Sequence, residues 1–247
     1  MTSSSPTGKT RTKKSSPPRW QTKVSPADLK RSRGDEIVDF SEALCRITKD
    51  SIAGHAGELI KFREWQSDLT RRLFAVTADG KLIHRTALIG LPRKNGKSAW
   101  LASVALEHLV FSAGGSEVYS CAADREQAKI VFNTVKEMVR LEPELEFLQT
   151  YRDAIFNPKN GTTYRALSAE AFTKEGLSPT LVCFDEVHAQ PNRELWDVMS
   201  LAMGARTEPL MIGITTAGVK VDSSGKDSLC YGLYQYGQKV ASGEIDD

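Results

Sequence analysis

Paired cysteines are missing from this chain. The four present, Cys45, Cys121, Cys183 and Cys230, are widely spaced, with no Cys-x-x-Cys pair and no Cys/His cluster. That excludes a disulfide framework and a zinc site and predicts reduced thiols in a cytosolic protein. Histidine is scarce at four residues, and none has the spacing of a metal-ligand set. No apolar run approaches the roughly 20 residues of a membrane span. The basic amino terminus is followed by no apolar core, so it is not a secretory signal. No internal repeat is visible. The remainder is ordinary: 40% apolar and 26% charged residues suit a soluble globular domain, and 247 residues suit one sizeable domain plus a tail.

Charge is unevenly spread. The net charge is +2, yet residues 1–34 hold nine Lys/Arg against the single Asp28, so the rest of the chain is acidic. This stretch is rich in Ser, Thr and Pro and nearly free of large apolar residues, too few to offset the entropy of ordering it. It reads as a basic disordered tail with affinity for nucleic acid, or as a solubilising terminus. The ordered domain is expected over residues 35–247.

Within that domain strands and helices alternate. Helical spacing covers residues 36–50 and 58–75, where Leu59, Phe62, Trp65, Leu69 and Leu73 fall near one face. A turn at 77–80 leads to a buried strand over 82–91 and a helix over 97–112. A strand at 117–123 precedes a helix at 124–141 with Asp124 as its N-cap. "NPKNGTTY" predicts a hairpin turning at Asn160 and Gly161. Strands at 180–186 and 209–218, separated by a helix at 192–203, and a last helix at 228–241 complete the pattern. Such alternation predicts an α/β domain with a mainly parallel central sheet flanked by helices. Ligands of such sheets bind beyond the carboxyl ends of the strands.

Chemistry-bearing residues collect at those ends. "ALIGLPRKNGKSAW" (87–100) places Gly96, Lys97 and Ser98 between a strand and a helix, as in a phosphate-binding loop, although Leu91 stands where the first glycine is usual. In such a loop, backbone N–H groups at a helix N-terminus cradle phosphate oxygens. Lys97 would neutralise the β- and γ-phosphates and Ser98 would bind Mg²⁺. "LVCFDEVH" sets Asp185 and Glu186 after four apolar residues. A carboxylate pair at the end of a buried strand is costly unless it serves a cation or a polar site. Asp185 suits Mg²⁺, and Glu186 suits a general base acting on water. "GITTAG" (213–218) puts the hydroxyls of Thr215 and Thr216 at another strand end, within reach of a γ-phosphate or its water. In "FREWQ", the Gln66 amide can pair with an adenine edge, and Trp65 or Phe62 can stack on the ring; the aromatics fit a helix core equally well.

In this order these elements resemble the large terminase subunits of tailed bacteriophages. "EWQ", "RKNGKS", "CFDEVH" and "ITTAG" look like that family's motor domain, as do "AADREQA" and "GARTEPL". The family's loop also often lacks the first glycine. The resemblance covers about residues 55–245. It implies a RecA-like P-loop NTPase of the ASCE type, with ATP and Mg²⁺ as cofactors. It further implies a ring on the capsid portal protein that drives double-stranded DNA into the procapsid, beside a small terminase subunit, in the bacterial host cytoplasm. By matching motif, Gln66 and Trp65 would meet adenine. Arg93, Lys94, Asn95, Gly96, Lys97 and Ser98 would surround the phosphates. Ser98 and Asp185 would hold Mg²⁺, Glu186 would activate water, and Thr215, Thr216, Ala217 and Gly218 would couple hydrolysis to movement. Ring ATPases also draw an arginine finger from a neighbouring subunit; Arg206 and Arg125 are the candidates. The family's second, nuclease domain is not expected in these 247 residues, so no nuclease activity is expected of this chain alone. Two alternatives stay open. "DEVH" also resembles the acidic box of DEAD/DEAH helicases and other translocases, and the fold of a catalytically incomplete prophage remnant would carry the same motifs.

Overall fold

The computed structural model describes residues 23–168 and 176–245. Residues 1–22 of the expected basic tail lie outside them. The described part of that stretch contains the short helix α1 (Pro26–Lys30), capped by Ser25, and Arg33, which pairs with Glu208 at 3.1 Å.

Seven strands form one sheet in the order β1-β7-β6-β2-β5-β4-β3. Strands β1 (Thr86–Gly90), β7 (Leu210–Thr215), β6 (Leu181–Phe184), β2 (Glu117–Ala122) and β5 (Thr162–Ser168) run parallel. The remaining two, β4 (Ala154–Asn157) and β3 (Gln149–Thr150), add antiparallel pairings at one edge. The hairpin expected at Asn160 and Gly161 joins β4 to β5. Gly161 turns it with φ 73°, and its N–H donates to Asn157 O at 2.8 Å. Because β7 lies between β1 and β6, the sheet has the inserted strand that the ASCE reading requires.

Side chains alternate along the inner strands, so the sheet faces two cores. Leu181, Cys183, Leu210, Ile212 and Ile214 join Trp100, Leu101 and Phe132 of α4 (Lys97–Phe111) and α5 (Arg125–Leu141) on one face, with α2 (Gly34–Leu44) and α3 (Glu64–Leu73) beyond. Val182, Phe184, Met211, Tyr119 and Cys121 meet Trp196 and Met199 of α6 (Glu194–Ala202) and Leu229 of α7 (Leu229–Ser242) on the other. Phe184 and Trp196 are in ring contact at 4.8 Å. All four cysteines are free thiols. Among the described residues, no helix is long and apolar enough to cross a membrane.

Elements are shorter than their patterns predict. α2 stops at Leu44 rather than 50, because Cys45 turns extended and residues 46 and 59 bridge across an irregular loop. α3 starts at Glu64 rather than 58. Leu59 therefore lies in that loop, outside the helix face expected for it.

Candidate functional site

Three strands end on one cleft. β1 delivers the loop 91–96, β2 delivers Ala123 and Asp124, and β6 delivers Glu186, while buried Thr215 at the end of β7 reaches the cleft only through His188. The cleft encloses about 550 Å³ and is lined by Arg93, Lys94, Gly96, Lys97, Ser98 and Ala99 on one side. Asp124, Gln127, Glu186 and His188 line the other. Two helix N-termini face it, and they differ. α5 is capped, since Asp124 accepts the Gln127 N–H at 2.9 Å. α4 has Gly96 at its N-cap, in the left-handed region at φ 75°, with no side-chain cap. Its first N–H groups are therefore left free to face an anion, and the helix dipole adds to the attraction.

The loop holds its own shape. Asn95 Nδ2 donates to Pro92 O and Arg93 O at 3.2 and 3.3 Å, and Lys94 is left-handed at φ 64°. Lys97 is buried, at 6% exposure, and its Nζ rests on Leu91 O at 3.2 Å and Pro92 O at 3.5 Å. The missing first glycine is thus tolerated: the position is used for its carbonyl, which any residue supplies.

Across the cleft, Ser98 Oγ donates to Asp185 Oδ2 at 3.2 Å. Asp185 is 4% exposed. Burial, then the neighbouring Glu186 charge, raise its pKa above the ordinary carboxylate value, while the Ser98 bond acts in the opposite direction. Asp185 Oδ1 and Glu186 Oε2 are buried without a hydrogen bond. Glu186 also sits at φ 49°, and with Lys94 it makes the two left-handed non-glycine residues among those described, a strain typical of functional sites. Buried acceptor oxygens beside a serine hydroxyl form a donor set that a hard divalent cation fits.

Gly213 explains how Glu186 is presented. A Cβ at that position would lie 2.8 Å from Val187 Cγ2 and 3.2 Å from the Trp196 ring. Its absence lets the 3-10 turn Val187–Ala189 settle on β7. His188 there reaches Thr215 Oγ1 with its backbone N–H at 3.2 Å.

The other expected residues divide. Gln66 is buried, its Oε1 accepts the Arg63 N–H at 2.9 Å, and its Nε2 borders Gly96, so the amide touches the loop from behind the cleft. Trp65 packs on the main core and lies outside the cleft lining. Thr215 is buried at the end of β7, while Ala217 and Gly218 are exposed. Arg206 is distant from its own chain's cleft. It binds Ser178 O at 2.8 Å and Gly115 O at 3.1 Å, before β6 and β2 begin. Arg125 heads α5 beside the cleft, with its side chain 61% exposed and paired with Asp153 at 3.4 Å. Asp124, Gln127 and His188 are cleft residues to which spacing assigned no part in the site. The signal for the first two was the end of a parallel strand adjoining β6.

The match to known proteins is consistent across three comparisons. The family model of the terminase large subunit, ATPase domain, matches residues 64–239. The large terminase subunit of Enterobacteria phage HK97 is 33% identical over 193 residues, 75% of this chain and 37% of the relative. The crystal structure of the HK97 large terminase aligns with a TM-score of 0.70 at 28% identity, covering 86% of this chain and 42% of that one. The large terminase ATPase domain of Thermus phage P74-26 shares the fold, with a TM-score of 0.50 at 20% identity over 63% of this chain and 65% of that one. This chain thus spans well under half the length of the HK97 relative. The match across residues 64–239 sets the helicase alternative aside: the chain belongs to the terminase large subunit family and carries its ATPase domain.

Proposed function

We propose that this chain hydrolyses ATP as the motor of a phage DNA-packaging terminase, moving double-stranded DNA into a procapsid. The observation that carries the reading is the Ser98–Asp185 contact at 3.2 Å, with two buried carboxylate oxygens that accept no hydrogen bond beside an uncapped helix N-terminus. In this reading the N–H groups of α4 and its loop hold the phosphates. Lys97 leaves Leu91 O and Pro92 O to neutralise the β- and γ-phosphates. Ser98 and Asp185 would hold Mg²⁺, which when bound withdraws charge from the phosphoryl oxygens. Glu186 orients and deprotonates the attacking water. Arg93, Lys94 and Asn95 shape the phosphate side, and Gln66 backs the adenine, with Trp65 supporting it from the core. Thr215, Thr216, Ala217 and Gly218 carry the consequence of hydrolysis away from the site.

The partners proposed are double-stranded DNA, a portal protein, a small terminase subunit and further copies of this chain in a ring, in the bacterial cytoplasm. Residues 1–34 form the basic tail that adds DNA affinity, and residues 35–247 form the motor domain. Of the two finger candidates, Arg125 is favoured because its guanidinium is exposed and weakly held, whereas Arg206 is committed to two carbonyls of its own chain.

The test is ATP hydrolysis by the purified chain with and without double-stranded DNA. Glu186→Gln is expected to keep ATP affinity and lose turnover by about 10²–10³-fold. Lys97→Ala is expected to weaken both. If neither substitution changes a measurable activity, the assignment is wrong. Tight magnesium-dependent binding without turnover in the wild type points instead to a remnant, or to a motor that needs its ring partners.

A further inference from the structure

Sequence spacing gives His188 no role, and the proposed mechanism does not use it. Its surroundings are nevertheless specific. Nδ1 lies 3.1 Å from Glu186 Oε2, 3.1 Å from Thr215 Oγ1 and 3.4 Å from Thr216 Oγ1. The hydroxyl hydrogen of Thr215 goes to Thr216 O at 3.0 Å, so Thr215 Oγ1 faces the ring as an acceptor. An acceptor hydroxyl and a carboxylate around one ring nitrogen assign the proton to Nδ1. A single N–H cannot serve both oxygens well. Its alignment serves Thr215, and Glu186 Oε2 is left without a hydrogen bond.

Two packing features turn that choice into a mechanical link. The 187–189 turn is seated on β7 through Gly213, and the loop after β7 closes on it from the other side: a Cβ at Gly218 would lie 2.6 Å from His188 Cβ. The imidazole therefore cannot shift without disturbing the 215–218 segment. Thr215 Oγ1 in turn lies 3.8 Å from Cys230 Sγ in the first turn of α7, and α7 packs on the 187–189 turn itself.

We propose that His188 is the positioning residue that ties the orientation of Glu186 to the 215–218 segment and, through Thr215 and Cys230, to the start of α7. In the arrangement described, the Nδ1–H belongs to Thr215 and Glu186 is unrestrained by it. When Glu186 turns to meet the attacking water, its distance from Nδ1 changes and the contest for the one N–H is reset. Transfer of the hydrogen bond to Glu186 leaves Thr215 Oγ1 with the His188 backbone N–H as its remaining donor from that residue, and so loosens the hold on 215–218 and α7. No covalent bond or net proton moves; one donor exchanges acceptors. This rests on Glu186 being the base proposed above.

The experiment is hydrogen exchange of the amides of residues 230–233 in the full chain, with and without magnesium and a non-hydrolysable ATP analogue. The proteins are wild type, His188→Ala, His188→Asn and Lys97→Ala. In the wild type the analogue changes protection at 230–233. His188→Ala is expected to keep analogue affinity within about threefold yet lose that change, and to lower kcat about tenfold with little effect on KM. His188→Asn places an amide nitrogen near the position of Nδ1 and is expected to restore most of the response, which a purely structural role for the ring would not allow. Gly218→Ala keeps the ring but presses on His188, and should blunt the same response. An unchanged response in His188→Ala, or none in a wild type that binds the analogue, overturns the proposal. Binding by the wild type no tighter than by Lys97→Ala would instead overturn the nucleotide site, and the coupling with it.

Discussion

At the amino ends of the parallel strands, Glu117 Oε2 accepts hydrogen bonds from the Tyr119 hydroxyl and the Ser178 N–H, both at 2.9 Å. Thr180 Oγ1 bonds Glu117 O and pairs with His108 Nε2 at 3.0 Å, and Arg206 ties down two carbonyls. At the carboxyl ends of the same strands, Asp185 Oδ1 and Glu186 Oε2 are buried and accept no hydrogen bond, although His188 Nδ1 stands 3.1 Å from the latter, and Lys94 and Glu186 hold left-handed backbone. One end is satisfied and the other is left wanting. Unsatisfied buried groups are rare because each costs about 1–3 kcal/mol. Two of the four such atoms among the described residues, Asp185 Oδ1 and Glu186 Oε2, are adjacent at the candidate site, the pattern expected where stability is given up for a ligand.

Asp185→Asn separates the two demands and should give the largest effect. Asp185 has its pKa raised, first by burial and then by Glu186. A raised carboxylate favours the fold below its ordinary value, and that contribution is lost as pH rises through the folded value. At neutral pH the charge is therefore a cost. Asn can still accept from Ser98 and carries no charge. Hydrolysis should fall by about 10²-fold or more, while thermal stability rises by about 1 kcal/mol, or roughly 2–4 °C. The gap between the two proteins should widen as pH rises. A lower melting temperature for the variant at pH 7.5 would mean that the carboxyl end is not the strained end.

Arg206→Ala probes the satisfied end. Removing the guanidinium takes the donor from the part-buried Ser178 O, while the exposed Gly115 O turns to water, so stability should fall by about 1 kcal/mol in urea titration, with nucleotide affinity within about twofold of wild type. Arg125→Ala is the contrast, because its pair with Asp153 is exposed and its loss should change stability by about 0.5 kcal/mol or less. If Arg206→Ala spares stability but abolishes DNA-dependent hydrolysis, Arg206 is the finger and the contrast between the two ends breaks.

How much of this was legible in the sequence follows the range of the interactions. Gly96, Lys97 and Ser98 were readable because a phosphate loop is local, and Asp185 and Glu186 because four apolar residues announce a buried strand before them. The parallel sheet and the Gly161 hairpin were readable from alternation and turn chemistry. The pattern carries α2 past Leu44 because the helix end is set by residue 59, which bridges to Arg46 from beyond an irregular loop. Trp65 looked equally fit for a ring stack and a core, and only packing distinguishes these. His188 has no signature in the sequence because its partners, Glu186 aside, are Thr215 and Thr216, at the end of a strand that only the fold brings beside it.

The smallest effect tests whether a displaced pKa alone marks a site. Two neighbours near the end of α4, on the amino side of the sheet, are displaced in opposite directions. Burial, then Glu36, push Glu107 from 4.5 up to about 7, and burial pushes His108 from 6.5 down to about 4. The Glu107 contribution is complete below about 4.5 and is lost as pH rises through 7; the His108 contribution is complete above 6.5 and is lost as pH falls through 4. Between these limits the folded chain keeps the proton that unfolding would remove from Glu107 and refuses the one that unfolding would add to His108. The two slopes nearly cancel. Glu107→Gln should therefore expose a stability that falls from pH 6.5 to 4, and His108→Asn one that falls from pH 4.5 to 7, each by on the order of 2 kcal/mol in denaturant titrations. Parallel curves for the two variants would refute the assignment. Both groups are displaced as Asp185 is, yet neither has an unpartnered buried atom or left-handed backbone. The carboxyl end is therefore distinguished by three features together: a displaced carboxylate, orphaned oxygens and backbone strain.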